Sequence, residues 1–225
     1  MWSLHCEHNP RISAINNHAA HTWIVISGWA LDVSCVIKET SSSNYVGVSF
    51  YDPSTLHTTL DHIFKHLTGP YSIAGFSLGG LWLSQHLNFF DDAVHVHFSG
   101  CRFQYSMADL QPLLLHLNRN QTQCLNDFYR NCSVNKRVCE QLTTHHHRFN
   151  LSPNLLRKSL QYLAKNTFND RVLLDNRCQF AHGALDRIAP VKELHWVPKE
   201  KLTLLKRTGH CCLLTESLDD LTGTL

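Results

Sequence analysis

The sequence predicts an α/β fold, with a mostly parallel central sheet, helices on both of its faces and a helical insertion near the middle of the chain. Three observations predict it. Short apolar runs of strand length alternate with stretches of helical periodicity along the 225 residues. A Gly-Phe-Ser-Leu-Gly segment, residues 75–79, joins one apolar run to a helix-like stretch, so a strand must turn sharply into a helix there. Between Cys101 and Lys165 the alternation stops and only helical spacing continues.

Taken in order, residues 23–26 and 45–50 read as strands, and residues 56–67 as the helix that follows. Residues 71–74 form the apolar strand before the Gly-Phe-Ser-Leu-Gly turn, and residues 80–87 the helix after it. A further strand covers residues 93–98. No hairpin precedes Trp23, so the sheet is expected to be short at its amino-terminal edge. In the insertion Leu110, Leu113, Leu114 and Leu117 share one helical face. Leu125 and Phe128 follow, then Leu155, Leu156, Leu160 and Leu163. Past it, Phe180 opens a strand that ends near Gly183, and residues 202–206 read as the last strand. The expected organisation is a core of residues 1–100 and 166–225 with a helical lid at 101–165.

Composition narrows the class. A chain of this length with 43% apolar residues can bury a sizeable core as one domain. Its longest apolar runs are strand-sized, so no membrane span is expected, and the first residues lack the basic-then-apolar order of a secretory signal. The expected location is cytoplasmic. Nine cysteines, an odd number without a CxxC pair, then read as reduced thiols. A zinc site built from Cys139 with His145, His146 and His147 lacks the spacing of structural sites, and that run reads as a solvated loop. His62 and His66, four apart on a helix, are set aside in the same way. No metal and no cofactor are expected.

The turn at Ser77 carries chemistry. A serine between a strand and a helix is pushed out over the carboxyl edge of a sheet, and Gly75 and Gly79 leave room for the turn. Downstream, Asp186 follows a strand end and His210 follows the last strand, in the chain order Ser, Asp, His, separated by 109 and 24 residues. In these roles His210 takes the proton of Ser77 during attack on a carbonyl carbon, and Asp186 orients the imidazole. The oxyanion requires two preset donors, the backbone N–H groups of Leu78 and Trp29. Asp52, also at a strand end, is the rival acid. Cys211 and Cys212 adjoin His210, but neither occupies a tight turn.

With these residues in place the chain resembles the BioH-like pimeloyl-acyl-carrier-protein methyl ester esterases of the α/β-hydrolase superfamily. The likeness covers Ser27-Gly28-Trp29, residues 75–80, residues 98–103, residues 117–132, residues 155–172, residues 183–190 and Gly209-His210. It departs at Ser27, where the family has histidine, and at Ala30, where glycine is common. The resemblance implies a serine carboxylesterase that removes methanol from the methyl ester of a pimeloyl chain on an acyl-carrier protein. It also implies that Trp29, Phe128, Tyr129, Arg130, Asn131 and Cys132 line the acyl channel, and that Arg130, Lys136 and Arg137 meet the carrier.

Charge bears on that partner. Residues 101–165 hold nine Lys or Arg against three Asp or Glu, a net of +6 in a chain of net +2, which leaves −4 elsewhere. Such a cationic cover steers acidic partners, and acyl-carrier proteins are acidic; a solvated helical face is the bland alternative. Neither nucleic acid nor a membrane is an expected partner, and a monomer meets every expectation. Two other functions stay open: a general short-chain carboxylesterase or thioesterase with the same triad, and a non-catalytic binding protein of this fold.

Overall fold

A computed structural model describes residues 10–223 of the chain. Its strands are β1 (Arg11–Ile15), β2 (Thr22–Ile26), β3 (Asn44–Ser49), β4 (Tyr71–Phe76), β5 (Val96–Ser99), β6 (Cys178–Gly183) and β7 (Leu202–Leu205). They form one sheet in the order β1-β3-β2-β4-β5-β6-β7, and every pairing is parallel except β1 with β3. The amino-terminal edge therefore holds a strand that the sequence does not announce. β1 is five residues long and pairs from Arg11 opposite Ser49 to Ile15 opposite Tyr45. A short edge strand takes its order from its neighbour's backbone more than from its own pattern.

Successive side chains of a strand leave opposite faces, so a sheet covered on both sides has strands buried throughout. All five residues of β2 are buried. On one face Ile24, Ile26, Ile73, Val96 and Phe98 pack with α1 (Leu56–Phe64) and α2 (Leu78–Gln85). On the other, Trp23, Val25, Ala74 and Phe76 meet Leu213 and Leu218 of the carboxyl-terminal segment, where α7 spans Leu218–Thr222. The carboxylate of Asp219 ties α7 to the sheet: it accepts from Trp23 Nε1 at 2.8 Å, Ser43 Oγ at 2.7 Å and Ser42 Oγ at 2.7 Å, and from Thr40.

Between β5 and β6 lie four helices, α3 (Met107–Arg119), α4 (Gln121–Cys132), α5 (Lys136–His146) and α6 (Pro153–Lys165). Their starts are locally encoded. Ser106 and Asp109 close a capping box on α3, Asn120 and Asn135 cap α4 and α5 through their side chains, and Pro153 opens α6. Leu110, Leu117, Leu156, Leu160 and Leu163 join the same core as the first sheet face, so the insertion is packed onto the body. The histidine run is no loop: His145 and His146 end helix α5, and His146 is buried, with Nδ1 on Leu142 O at 2.6 Å and Nε2 accepting from Asp32 N at 2.8 Å. Cys139 likewise turns its thiol to the Ser133 carbonyl at 3.3 Å. His62 on α1 and His66, two residues past its end, stand exposed with ring centroids 5.0 Å apart.

Eight cysteines fall within the described residues and none is in a disulfide; Cys6 lies outside them. No helix among the described residues is long and apolar enough to cross a membrane.

Acid should destabilise this core through two histidines. His97 on β5 is 1% exposed, and neither ring nitrogen has a hydrogen-bond partner among the described residues. Burial pulls both His97 and His146 down to about 4 from an ordinary 6.5. Between those values the unfolded chain takes up protons that the folded chain refuses, so stability falls as pH drops from about 6.5 to about 4. Each histidine adds at most about 1.4 kcal/mol per pH unit to that slope. His97→Leu, which removes no hydrogen bond, should keep stability above pH 6.5 and flatten the slope below it. Urea unfolding across this range is the measurement, and an unchanged slope would refute the assignment to His97.

Candidate active site

Trp29, Ser77, Asp186 and His210 all sit on loops that leave the carboxyl ends of parallel strands: β2, β4, β6 and β7. That edge is where an open α/β sheet forms its crevice. Ser77 has φ 52° and ψ −111°, in the left-handed half of backbone space, which costs a non-glycine residue on the order of 1–3 kcal/mol. The surroundings enforce it. Ser77 N donates to Ser99 O at 2.8 Å, and its carbonyl accepts from Leu81 N at 3.0 Å as α2 begins. A β-carbon at residue 75 would fall 2.6 Å from Gly80 Cα, and one at residue 79 would run into the Ile26 carbonyl. Only glycine fits at either place.

The acid and the imidazole meet directly. Asp186 Oδ2 lies 2.7 Å from His210 Nδ1, with both side chains wholly buried. The other carboxylate oxygen accepts the N–H groups of Ile188 and Ala189, each at 2.8 Å, which fixes the loop around Asp186. His182, on β6, bonds Ala189 O at 2.7 Å through Nε2 and stands 3.4 Å from Asp186 Oδ2. Burial acts to raise the Asp186 carboxyl, but the His210 imidazole, His182 and the Ala189 N–H together hold it below the ordinary range. An ionised carboxylate only accepts, so His210 Nδ1 carries the hydrogen and Nε2 is left as the basic nitrogen.

His210 packs on the residue before the serine, its ring centroid 4.9 Å from that of Phe76. The structure does not join His210 Nε2 to Ser77 in a hydrogen bond: that buried nitrogen has no partner among the described residues. Such bonds are often loose before substrate arrives. Asp52 stands elsewhere, paired with Lys158 Nζ at 2.8 Å.

Leu78 heads α2, so its N–H has no carbonyl partner within the helix. Trp29 lies in the turn closed by Leu31 N on Gly28 O at 3.4 Å, and Ala30 within it has φ 55°. That conformation favours glycine, the residue common there in the family that the sequence resembles. Three lid helices hold this turn. The Trp29 indole donates to Leu156 O of α6 at 3.0 Å, the Tyr129 hydroxyl of α4 donates to Ala30 O at 2.9 Å, and His146 of α5 accepts from Asp32 N.

Under the lid is a cavity of about 280 Å³ whose walls include Ser77, Trp29, Phe128, Asn131, Leu110 and Leu160. Of the expected channel residues on α4, Phe128 and Asn131 line it. Residues three apart share a helix face, and Tyr129 and Cys132 lie round the helix, buried in the core. Arg130 is exposed and pairs with Asp127 at 3.1 Å, so Tyr129, Arg130 and Cys132, against expectation, do not line the cavity. Lys136, 3.7 Å from Glu140, and Arg137 also face solvent. Tyr105, buried and sharing the cavity wall with Ser77, went unforeseen because it lies outside any periodic element. Arg187 also lines the cavity, and its adjacency to Asp186 was the only signal.

No family model matches the chain, and no curated protein matches it by sequence. Solved structures do. An esterase from Exiguobacterium antarcticum matches with a TM-score of 0.76 at 15% identity, covering 96% of this chain and 93% of its own. An enol-lactonase from Burkholderia xenovorans LB400 matches at 0.74 and 14% identity, with coverage of 96% and 94%. BioG from Haemophilus influenzae matches at 0.65 and 11% identity, with coverage of 94% and 99%. The chain has the α/β-hydrolase fold.

Gly79→Ala should be severe, because the added methyl meets backbone that cannot move without displacing β2. A loss of more than about 2 kcal/mol in urea unfolding is expected, well above that of an ordinary surface change. Wild-type stability in this variant would mean that the close approach of α2 to β2 is not a real constraint.

Proposed function

We propose that this protein is a serine carboxylesterase in which Ser77 is the nucleophile, His210 the general base and Asp186 the residue that orients it. The observation that carries the reading is the buried 2.7 Å bond between Asp186 and His210 Nδ1, beside a serine held at positive φ. In the first half-reaction Ser77 Oγ bonds to the ester carbonyl carbon and its proton passes to His210 Nε2. The carbonyl oxygen takes the negative charge, facing the N–H groups of Leu78 and Trp29. The bond to the alkoxy oxygen then breaks, and His210 returns the proton to the departing alcohol. Water repeats the sequence on the acyl-enzyme, giving a carboxylate and free serine.

The finer reading is hydrolysis of the methyl ester of pimeloyl-acyl-carrier protein, in biotin biosynthesis, with methanol as the first product. Its supports are the sequence likeness to the BioH-like esterases, the fold-level likeness to BioG, the lid's net charge of +6 and the exposure of Arg130, Lys136 and Arg137. On this reading the acidic carrier docks on those cations and the acyl chain reaches Ser77 past Phe128 and Asn131. A cytoplasmic enzyme without a cofactor suits it. The cavity of about 280 Å³, small for a ligand pocket, favours a second reading: a short-chain carboxylesterase acting on free esters.

Ser77→Ala should reduce ester hydrolysis by at least about 10³-fold while the unfolding midpoint stays near that of the wild type. Retained activity would remove Ser77 from the mechanism. Methanol release from carrier-bound and free methyl esters separates the two substrate readings. On the carrier reading, carrier-bound ester should react faster and slow with added salt, and Arg130→Glu with Arg137→Glu should weaken that reaction far more than cleavage of the free ester. An intact carrier-bound ester after prolonged incubation would exclude the carrier as partner.

A further inference from the structure

The rim of the cavity under the lid carries several charged side chains, and their pairing is uneven. Arg102 is committed to Asp109 at 3.2 Å and Glu193 at 3.8 Å. Asp127 is engaged by Arg130 at 3.1 Å and by His116 at 4.0 Å. Arg187 also lines the cavity, is exposed, and has no ion pair or hydrogen bond among the described residues. It is the one cation on that wall whose charge no neighbouring carboxylate takes up.

Its backbone is not loose. Asp186 Oδ1 holds the N–H groups of Ile188 and Ala189, one and two residues beyond Arg187, each at 2.8 Å, so the turn that carries Arg187 is pinned to the same carboxylate that orients His210. Arg187 also stands near helix α5. Burial pushes the Cys139 thiol up, and the Arg187 guanidinium is among the smaller influences that draw it back. An unpaired guanidinium carried on a fixed turn, beside a pocket whose lining also includes Leu110, Leu113, Leu160 and Leu163 and whose two carboxylates, Asp109 and Asp127, are already paired, suits a chain that is apolar along its length and anionic at its end.

We infer that Arg187 is a specificity-determining residue: the site takes an ester whose acyl chain ends in a carboxylate, with the ester carbonyl at Ser77 and the far carboxylate on the Arg187 guanidinium. A volume of about 280 Å³ corresponds to on the order of nine water-sized groups at about 30 Å³ each, which suits a half-ester of a short dicarboxylic acid. The inference rests on the esterase reading of Ser77 and narrows its substrate. On a carrier-linked chain the far end is a neutral thioester, so a preference for the free half-ester favours the short-chain reading.

The test measures methanol release from monomethyl adipate and from dimethyl adipate, which differ only in the anionic end. Wild type, Arg187→Gln, Arg187→Lys and Ser77→Ala are compared. Wild type should favour the half-ester about tenfold in kcat/KM, the size of one partly desolvated charge-assisted hydrogen bond. Arg187→Gln should bring that ratio near one chiefly by raising KM for the half-ester, with a far smaller change in kcat and in diester hydrolysis, and Arg187→Lys should restore part of the preference. The same preference in Arg187→Gln, or a wild-type preference for the diester, overturns the inference and leaves the esterase reading standing. No release from either ester by any form overturns the inference and leaves the carrier-bound reading standing, and hydrolysis that Ser77→Ala does not diminish overturns the esterase reading and the inference with it.

Discussion

The contact between the start of helix α2 and the backbone at the end of strand β2 governs the geometry of the site. Gly79 faces the Ile26 carbonyl with no space for a β-carbon between them, and Gly75 packs on Gly80 in the same way. That approach forces residue 77 out of ordinary backbone space and lifts its side chain over the sheet edge. It also ties Leu78 N–H, the first of α2, to the loop 26–29 that carries Trp29 N–H. One steric constraint thus sets both the serine and the two amides that would face an oxyanion.

A second arrangement builds on the first at the other half of the edge. Asp186 is wholly buried, which alone would favour its neutral form, and it stays ionised because every direction around it supplies a donor. His210 takes one oxygen; two backbone amides take the other. His182 closes the loop on Ala189, and that same loop presents Arg187 to the cavity. Catalytic orientation and substrate choice therefore share a single turn of the chain.

The lid belongs to this construction more than its place as an insertion suggests. Helices α4, α5 and α6 each send or receive one hydrogen bond within residues 29–32, through Tyr129, His146 and Leu156. Tyr129 and His146 also stack, with ring centroids 4.5 Å apart, between the turn and the lid interior. These bonds account for the burial of two residues that sequence reading sent elsewhere, Tyr129 to a channel wall and His146 to a solvated loop. The lid's apolar face covers the cavity while its polar anchors fix the turn beside Ser77.

Much of this was legible in the chain itself, because it is encoded in neighbours. Apolar runs of strand length, the glycines around Ser77 and the helical spacing of the leucines between Cys101 and Lys165 are short-range signals, and the α/β architecture with its helical insertion followed from them. The order of Ser77, Asp186 and His210, each just past the end of a strand, was equally readable. What the tertiary structure alone decided depends on contacts between distant segments. The five residues of β1 became a strand only because β3 offered an open edge. Phe128 and Asn131, and not Tyr129 or Cys132, reached the cavity because helix α4 is rotated by its anchors on Ala30 and the core. Arg187 stands out only once every other charge on its wall is seen to be paired, since a sequence fixes local propensity while charge pairing is settled by packing.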